Sequence, residues 1–161
     1  MTIKTKITLC LWFDFNAEEA IHFYTSVFKN SRIVKKSYYG DNMPVPKGTL
    51  LTATFELEGQ SLIALNGGPH FKFNEAISLM VSCENQAEVD ELWDKLIADG
   101  GSPSQCGWLK DKFGLSWQIV PVQLEKLMSD KDAKKAGAVA QALFKMSKII
   151  IADLEQAYQA A

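Results

Sequence analysis

The sequence predicts an α+β fold made of two related units followed by a C-terminal helical extension. The helix-capping sequence NAEE at residues 16–19 recurs as NQAE at residues 85–88, and each cap follows an apolar, strand-like run. The helices behind the two caps also repeat one apolar face, Ala20, Phe23, Tyr24, Val27 and Phe28 in the first and Val89, Leu92, Trp93, Leu96 and Ile97 in the second. Such a duplication predicts that each unit covers the exposed sheet face of the other, with any functional site in the concavity between them.

The first unit reads as one strand, one helix and three further strands. Its predicted elements are a strand at 7–13, a helix capped by Asn16, a strand at 32–39, a loop at 40–48, a hairpin of strands at 50–57 and 61–65, and a turn at 66–69. The loop contains Pro44 and Pro46, which lack the backbone N–H needed inside a sheet. The sequence leaves open whether this loop acts as a lid.

The second unit repeats the order of the first. Its predicted elements are a strand at 76–82, a helix at 86–98 stopped by glycines at 100–101, and a hairpin of strands at 106–110 and 115–120. After Pro121 the pattern turns helical, and the last helix ends near Tyr158. We therefore expect a single domain over residues 1–161, with module one at 6–68, module two at 75–121 and an extension at 122–161.

Composition narrows the class of protein. The 161 residues are 47% hydrophobic and 22% charged, with a formal net charge of −2, so no basic footprint for nucleic acid is expected. The sequence shows no signal peptide and no run of about 18 apolar residues. Cys10, Cys83 and Cys106 have no metal-type spacing. These observations predict a soluble cytoplasmic protein with neither nucleic acid nor membrane as a partner.

Four segments together point to a family. They are ALNGGP at residues 64–69, FKFNEAIS at 71–78, CGWLKD at 106–111 and FGLSWQIVP at 113–121. The chain resembles the PhnB-like family in these segments, and the resemblance runs from about Lys6 to the C-terminus. This family is a branch of the vicinal-oxygen-chelate superfamily, which includes glyoxalase I, bleomycin-resistance proteins and extradiol dioxygenases. The resemblance implies paired βαβββ modules that form a curved mixed sheet around a cavity, usually in a homodimer.

The family often carries the label 3-demethylubiquinone-9 3-methyltransferase, which the residues do not support. A typical class I methyltransferase binds its cofactor at a Gly-rich turn that opens a helix after a strand. Here Gly67-Gly68 follows a hairpin strand and Gly100-Gly101 follows a helix. We expect the label to appear without describing the activity.

The resemblance also allows a test for a metal site. Metal-dependent members of the superfamily hold a divalent cation with donors from four strands, and the matching positions here are Leu9, Ala64, Ala76 and Gln118. Of these only Gln118 offers a donor. A one-residue shift would offer Thr8 or Cys10, Leu65, and Glu75 or Ile77, which is no better set. The prediction is a cavity with no metal and no cofactor.

The candidate ligand-binding residues are Gln118, Trp12, Trp108, Phe71, Ser78 and Asn66. Period-two alternation places Gln118 on the same strand face as Ser116, where its amide either contacts a ligand or completes a buried hydrogen-bond network. The aromatic candidates form either an apolar ligand wall or part of the core.

The candidate catalytic residues are Cys106 and His70. Lys110 is the cation nearest to Cys106 in sequence, so Cys106 is either a structural thiol or a reactive one. His70 follows the turn at 66–69 and is either an ordinary loop residue or a substrate contact. His22 falls on the polar face of the first helix, and Asp111 is expected to fix a hairpin turn.

Three functions therefore compete. The first is a protein that binds a small organic molecule in a metal-free cavity. The second is a metal-dependent lyase, isomerase or transferase of the glyoxalase kind. The third is a metal-independent enzyme that uses Cys106 or His70. The sequence favours the first and does not decide whether the protein is an enzyme.

Overall fold

The computed structural model describes residues 6–161 and divides into two compact units, with the boundary between Lys72 and Phe73. The first unit contains β1 (Leu9–Phe13), α1 (Ala17–Val27), β2 (Ser31–Tyr38), β3 (Leu50–Leu57) and β4 (Gln60–Asn66). The second contains β5 (Ser78–Cys83), α2 (Gln86–Ile97), a 3-10 turn (Ala98–Gly100), β6 (Ser102–Pro103), β7 (Trp108–Lys110) and β8 (Ser116–Pro121). The C-terminal extension contains α3 (Val122–Met128), α4 (Ala133–Leu143) and α5 (Ile151–Gln159).

Each unit is a βαβββ module with the same sheet topology. The strand orders are β1-β4-β3-β2 and β5-β8-β7-β6. In both sheets the first strand lies parallel to the last one, and the other pairs are antiparallel. The predicted α+β class and the paired βαβββ modules are confirmed, and each module has a mixed four-stranded sheet of its own.

One face of each sheet is packed against the helix of its own unit. In the first unit Tyr24 of α1 stacks on Phe55 of β3, with ring centroids 6.2 Å apart, and both side chains are fully buried. In the second unit Trp93 of α2 is buried, as are Trp117 and Ile119 of β8. Because side chains alternate along a strand, the intervening residues lie on the opposite face, here called the far face of each sheet.

Three strands begin two residues later than the sequence predicts, and the causes are local. Ile7 is 88% exposed and precedes β1, while Ile77 is 60% exposed and precedes β5. Before β5 the chain turns, and Asn74 Oδ1 accepts a hydrogen bond from the Ala76 N–H at 2.9 Å. The strand predicted from residue 106 starts at Trp108, because Cys106 and Gly107 have φ angles of 57° and 83°, outside the extended range.

The C-terminal extension packs on the second unit. Its buried residues Leu124, Val139, Leu143, Ile149 and Leu154 form an apolar cluster, against which Cys106 and Val120 are partly buried. The Gln86 side chain donates to the Ile149 carbonyl at 3.1 Å and accepts from the Ile151 N–H at 2.8 Å. Lys148 forms an ion pair with Asp90 of α2 at 2.9 Å. Among the described helices none has the length and apolar character needed to cross a bilayer.

Candidate functional site

The far face of the second sheet carries a compact set of polar side chains. The strand register aligns Ser78, Ser116 and Lys110 in one row across β5, β8 and β7, and aligns Met80, Gln118 and Trp108 in the next row. Directly opposed side chains in neighbouring strands have Cβ atoms about 5 Å apart. The two rows therefore form one continuous surface, polar at Ser78, Ser116 and Gln118 and apolar at Trp108 and Met80.

The Gln118 side chain makes one hydrogen bond and keeps the capacity to make others with a ligand. Its Nε2 donates to Ser78 Oγ at 2.8 Å, and the side chain is half-buried. A primary amide has a second N–H and a carbonyl oxygen, and a serine that accepts keeps its own hydrogen to donate. The pair therefore presents both a donor and an acceptor from the far face.

Ser116 carries a buried hydroxyl whose hydrogen-bonding capacity is unused. The residue is 1% exposed, and within the described residues its Oγ has no hydrogen-bond partner. An unsatisfied buried polar group typically costs about 1–3 kcal/mol. In the strand register this hydroxyl lies directly between Ser78 and Lys110. It is closed to solvent in this structure, and it can donate to a group that displaces the atoms covering it.

Lys110 lies at the end of the first row, Ser78–Ser116–Lys110, here called the polar row. It forms an ion pair with Glu75, in the turn before β5. The hydrogen bond from the Lys110 ammonium lowers the pKa of the Glu75 carboxyl. The side chains of Lys110 and Glu75 are 38% and 62% exposed, so solvent screens the pair. The sequence offers Glu75 only as a shifted metal position, and its pairing with Lys110, 35 positions away, is not visible from the sequence.

The predicted aromatic wall is divided between the two units. In the first unit Trp12 Nε1 donates to the Gly68 carbonyl at 2.8 Å, and its ring meets the edge of Phe71 at a centroid distance of 4.9 Å. A Cβ at Gly67 would lie 2.3 Å from the indole, so this close approach requires glycine. Phe71 is 64% exposed. Trp108 is half-buried and belongs to the second unit.

Asn66 acts as a structural bridge, with both ends of its amide used inside the first unit. The residue is 1% exposed; its Oδ1 accepts from the Ala17 N–H at 2.9 Å, and its Nδ2 donates to the Leu50 carbonyl at 3.0 Å. Asn66 therefore fills the capping role at the start of α1 that the sequence predicts for Asn16, whose own side chain makes no cap hydrogen bond. It also ties β4 to β3. This placement leaves little of the amide for the ligand-binding role that the sequence suggests.

Replacing Asn66 with alanine should lower the free energy of unfolding by about 2–3 kcal/mol, because a buried N–H and a buried carbonyl lose their partners. The measurement is urea unfolding followed by tryptophan fluorescence. Asn30→Ala is the control, since Asn30 is exposed and its recorded bonds use backbone atoms. Equal stability of the two variants would contradict the structural role of Asn66.

The two catalytic candidates lie in different units. Cys106 is half-buried beside the apolar cluster of the extension, and its backbone N–H donates to the Met146 carbonyl at 2.8 Å. His70 is exposed in the loop after β4, and His22 is exposed on α1. Burial, with a smaller contribution from Glu88, raises the pKa of the Cys83 thiol to about 12, so that thiol stays protonated. Whether Cys106 or His70 takes part in chemistry stays a prediction.

The sheet register shows on which face of its sheet each predicted metal position lies. Leu9 and Ala64 share a face with the buried Leu11, packed toward α1, and Ala76 precedes β5. The far-face positions beside them are Cys10, Ile63, Leu65, Ser78 and Met80, together with Gln118. In the first unit these positions supply one thiol, and in the second unit they supply one hydroxyl and one amide; neither set fits a divalent cation. Among residues 6–161 no three His, Cys, Asp or Glu side chains cluster as metal ligands.

Comparisons with solved structures define the class of fold. Protein PA1353 from Pseudomonas aeruginosa aligns with a TM-score of 0.60 at 21% identity, over 73% of this chain and 98% of that protein. The fosfomycin-resistance protein FosX from Listeria monocytogenes, solved with Mn(II) and sulfate, aligns with a TM-score of 0.51 at 17% identity, over 72% of this chain and 90% of FosX. The fold is shared with these proteins and with a glyoxylase/bleomycin resistance protein/dioxygenase domain from Frankia sp. EAN1pec, which aligns with a TM-score of 0.50 at 16% identity, over 74% of this chain and 93% of that one.

The family is shown by a closer likeness. A putative 3-demethylubiquinone-9 3-methyltransferase, PhnB protein, from Bacillus cereus is 40% identical, with a TM-score of 0.67 over 73% of this chain and all of that one. The model of the 3-demethylubiquinone-9 3-methyltransferase family matches residues 5–120, and this chain belongs to that family. The predicted label thus appears, and the match ends before the C-terminal extension. No curated protein matches the chain.

Proposed function

We propose that this protein binds a small organic molecule without a metal, on the far face of the second sheet. The observation that carries the proposal is the unpartnered, buried hydroxyl of Ser116, beside the Gln118–Ser78 hydrogen bond. Small-molecule sites combine a few convergent polar groups with an apolar or aromatic wall. Here Trp108, directly opposite Gln118 in the strand register, supplies that wall.

The side chains favour metal-free binding over the glyoxalase-type alternative. A catalytic metal centre needs several nitrogen or oxygen donors that converge on one point. Around Gln118 the neighbours in register are Met80 and Trp108, neither of which is a donor for a hard or borderline cation. The Mn(II) recorded with FosX is therefore not carried over to this chain.

We do not propose methyl transfer as the function, despite the name of the family. The connections from β1 to α1 and from β5 to α2 have the sequences Asp14-Phe15-Asn16 and Glu84-Asn85, without glycine. A Gly-rich turn at such a junction is what brings a cofactor near the backbone in class I methyltransferases. The homodimer stays a prediction from the resemblance, and the cytoplasmic location stays a prediction from the composition of the sequence.

A fragment screen tests the proposed function. Chelator-treated protein is screened with a library of small organic fragments by ligand-observed NMR. We expect fragments that bind the wild type and lose about tenfold in affinity in both Gln118→Ala and Trp108→Ala, because each change removes one contact of ordinary strength. Ser82→Ala is the matched control, since Ser82 lies on the far face but outside the two rows. Fragment binding that ignores both variants would overturn the proposed site.

A metal titration of the same sample tests the alternative function. Mn²⁺, Ni²⁺, Zn²⁺ and Fe²⁺ are added in thermal-shift experiments, and no saturable rise in the midpoint is expected. A metal present at 100 times its dissociation constant would stabilise the native state by about 2.7 kcal/mol. A saturable rise for one metal, lost in Gln118→Ala, would replace metal-free binding by the glyoxalase-type function.

A further inference from the structure

We infer that the ligand is an organic molecule with one carboxylate, and that this carboxylate takes the place now held by Glu75 against Lys110. The inference rests on the proposed function and specifies its ligand. Its basis is the polar row of Ser78, Ser116 and Lys110, which ends at a cation already paired with a carboxylate of the chain itself.

The Glu75 carboxylate leaves most of the polar row unused. It pairs with Lys110, while Ser116 Oγ stays without a partner and Ser78 only accepts the bond from Gln118. A carboxylate has two oxygens and about four acceptor sites, and its hydrogen bonds with hydroxyl and ammonium donors are stronger than neutral ones. Ser116 Oγ is closed to solvent in this structure, so a ligand reaches it only once the atoms that cover it have moved aside. A ligand carboxylate that replaces Glu75 over the row can then accept from all three residues and satisfy the Ser116 hydroxyl.

A ligand carboxylate can replace Glu75 as the partner of Lys110 at little cost in stability. Both side chains are partly exposed, and ion pairs in contact with water contribute little to stability. Glu75 lies in the turn before β5, where it can swing away without breaking the strand ladder. A single lysine balances a single negative charge, so the row fits a carboxylate better than a phosphate dianion.

The next row describes the rest of the ligand. Trp108 is half-buried and Met80 is 63% exposed, and both lie one pair further along the same face. An apolar body attached to the carboxylate would cover these two side chains and remove their surface from water. The chemical class is thus a small acid with an aromatic or aliphatic body.

Matched acids and amides test this inference. Benzoate with benzamide, and hexanoate with hexanamide, are titrated by NMR into the wild type, Glu75→Gln and Lys110→Met. In the wild type each acid should bind at least fivefold more tightly than its amide. Glu75→Gln should strengthen the acids about fivefold and leave the amides unchanged, because an internal competitor is removed. Lys110→Met should abolish the preference for the acids.

Controls separate a local effect from overall charge and from failure of the proposed function. Glu91→Gln removes the same charge from an ion pair with Lys95 on α2, which packs on the other face of the sheet. An equal gain for the acids in Glu91→Gln, or no gain in Glu75→Gln, would overturn the inference. Acids and amides that bind equally well, through Gln118, would overturn it but leave the proposed function standing. If every fragment in the screen binds independently of Gln118, both the inference and the proposed function are wrong.

Discussion

Replacing Asp111 with alanine is expected to lower the free energy of unfolding by about 3–5 kcal/mol, one of the largest effects of any polar substitution in this chain. Asp111 is 2% exposed. Its Oδ1 accepts from the backbone N–H groups of Phe113 and Leu115 at 2.9 and 3.1 Å, and its Oδ2 accepts from the Trp117 indole at 2.9 Å. Alanine would leave three donors without this acceptor in the turn between β7 and β8.

A double-mutant cycle separates the stability contributed by the Asp111 bonds within the turn from that contributed by its bond to the Trp117 indole. Urea unfolding of Asp111→Ala and Trp117→Phe, and of the double variant, gives a coupling energy for the Asp111–Trp117 bond of about 1.5–3 kcal/mol. Asp14→Ala is the control at an exposed carboxylate outside the second unit, with an expected change within about 0.5 kcal/mol. A loss below about 1 kcal/mol in Asp111→Ala would mean that water replaces the carboxylate in the turn.

The part of the fold that the sequence predicts is the part fixed by local signals. Asn85 accepts from the Glu88 N–H at 3.0 Å, and the Glu88 carboxylate accepts from the Glu84 N–H at 2.7 Å, close to the capping pattern expected from the repeat. Asp111 holds the predicted turn for the same reason, since its bonds to Phe113 and Leu115 span four residues. Its bond to Trp117 depends on strand pairing, which the sequence does not display.

Strand register explains why the candidate site was only partly predicted. Gln118 was assigned to one face with Ser116 because small polar and large apolar residues alternate along β8. β1, in contrast, has the nearly uniform apolar sequence LCLWF, in which a shift of one residue exchanges the two faces without a change in pattern. The sequence of β1 therefore does not show that Leu9 lies on the face packed toward α1 and Cys10 on the far face.

The remaining features of the candidate site depend on contacts between residues that are distant in sequence, which is why the sequence does not predict them. The pair of Lys110 with Glu75 and the burial of Ser116 depend on the order β5-β8-β7, which places residues from three strands in one row. Asn66 gave a detectable signal, because it continues the buried alternation of Leu62 and Ala64 along β4. The sequence carries no signal for the positive φ of Cys106, because the backbone of Cys106 bonds to the extension, which is distant in sequence.

Replacing Gly107 with alanine is expected to destabilise the protein by about 3–5 kcal/mol, through backbone strain and steric overlap together. The φ angle of Gly107 is 83°, a conformation that side chains with a Cβ rarely adopt. A Cβ there would lie 2.8 Å from Ile149 Cδ1 and 2.9 Å from the Ile119 carbonyl oxygen. The Gly107 N–H also donates to the Ser147 carbonyl at 2.7 Å, so a shift at residue 107 would strain the attachment of the extension.

Gly114→Ala is the matched control, because the two glycines differ in surroundings and hardly in conformation. Gly114 has a φ of 85° and nothing within 4 Å of an added Cβ, so its replacement should cost about 1–2 kcal/mol for strain alone. Urea unfolding of both variants then gives the steric contribution as their difference. Ile149→Val in the Gly107→Ala background removes one of the colliding atoms, and should recover about 1 kcal/mol. Equal losses at Gly107 and Gly114 would contradict a steric contribution at Gly107, where both Ile149 and the Ile119 carbonyl would have to give way. Limited proteolysis on the C-terminal side of Pro121 would show, as faster cleavage, whether the extension is the part that moves.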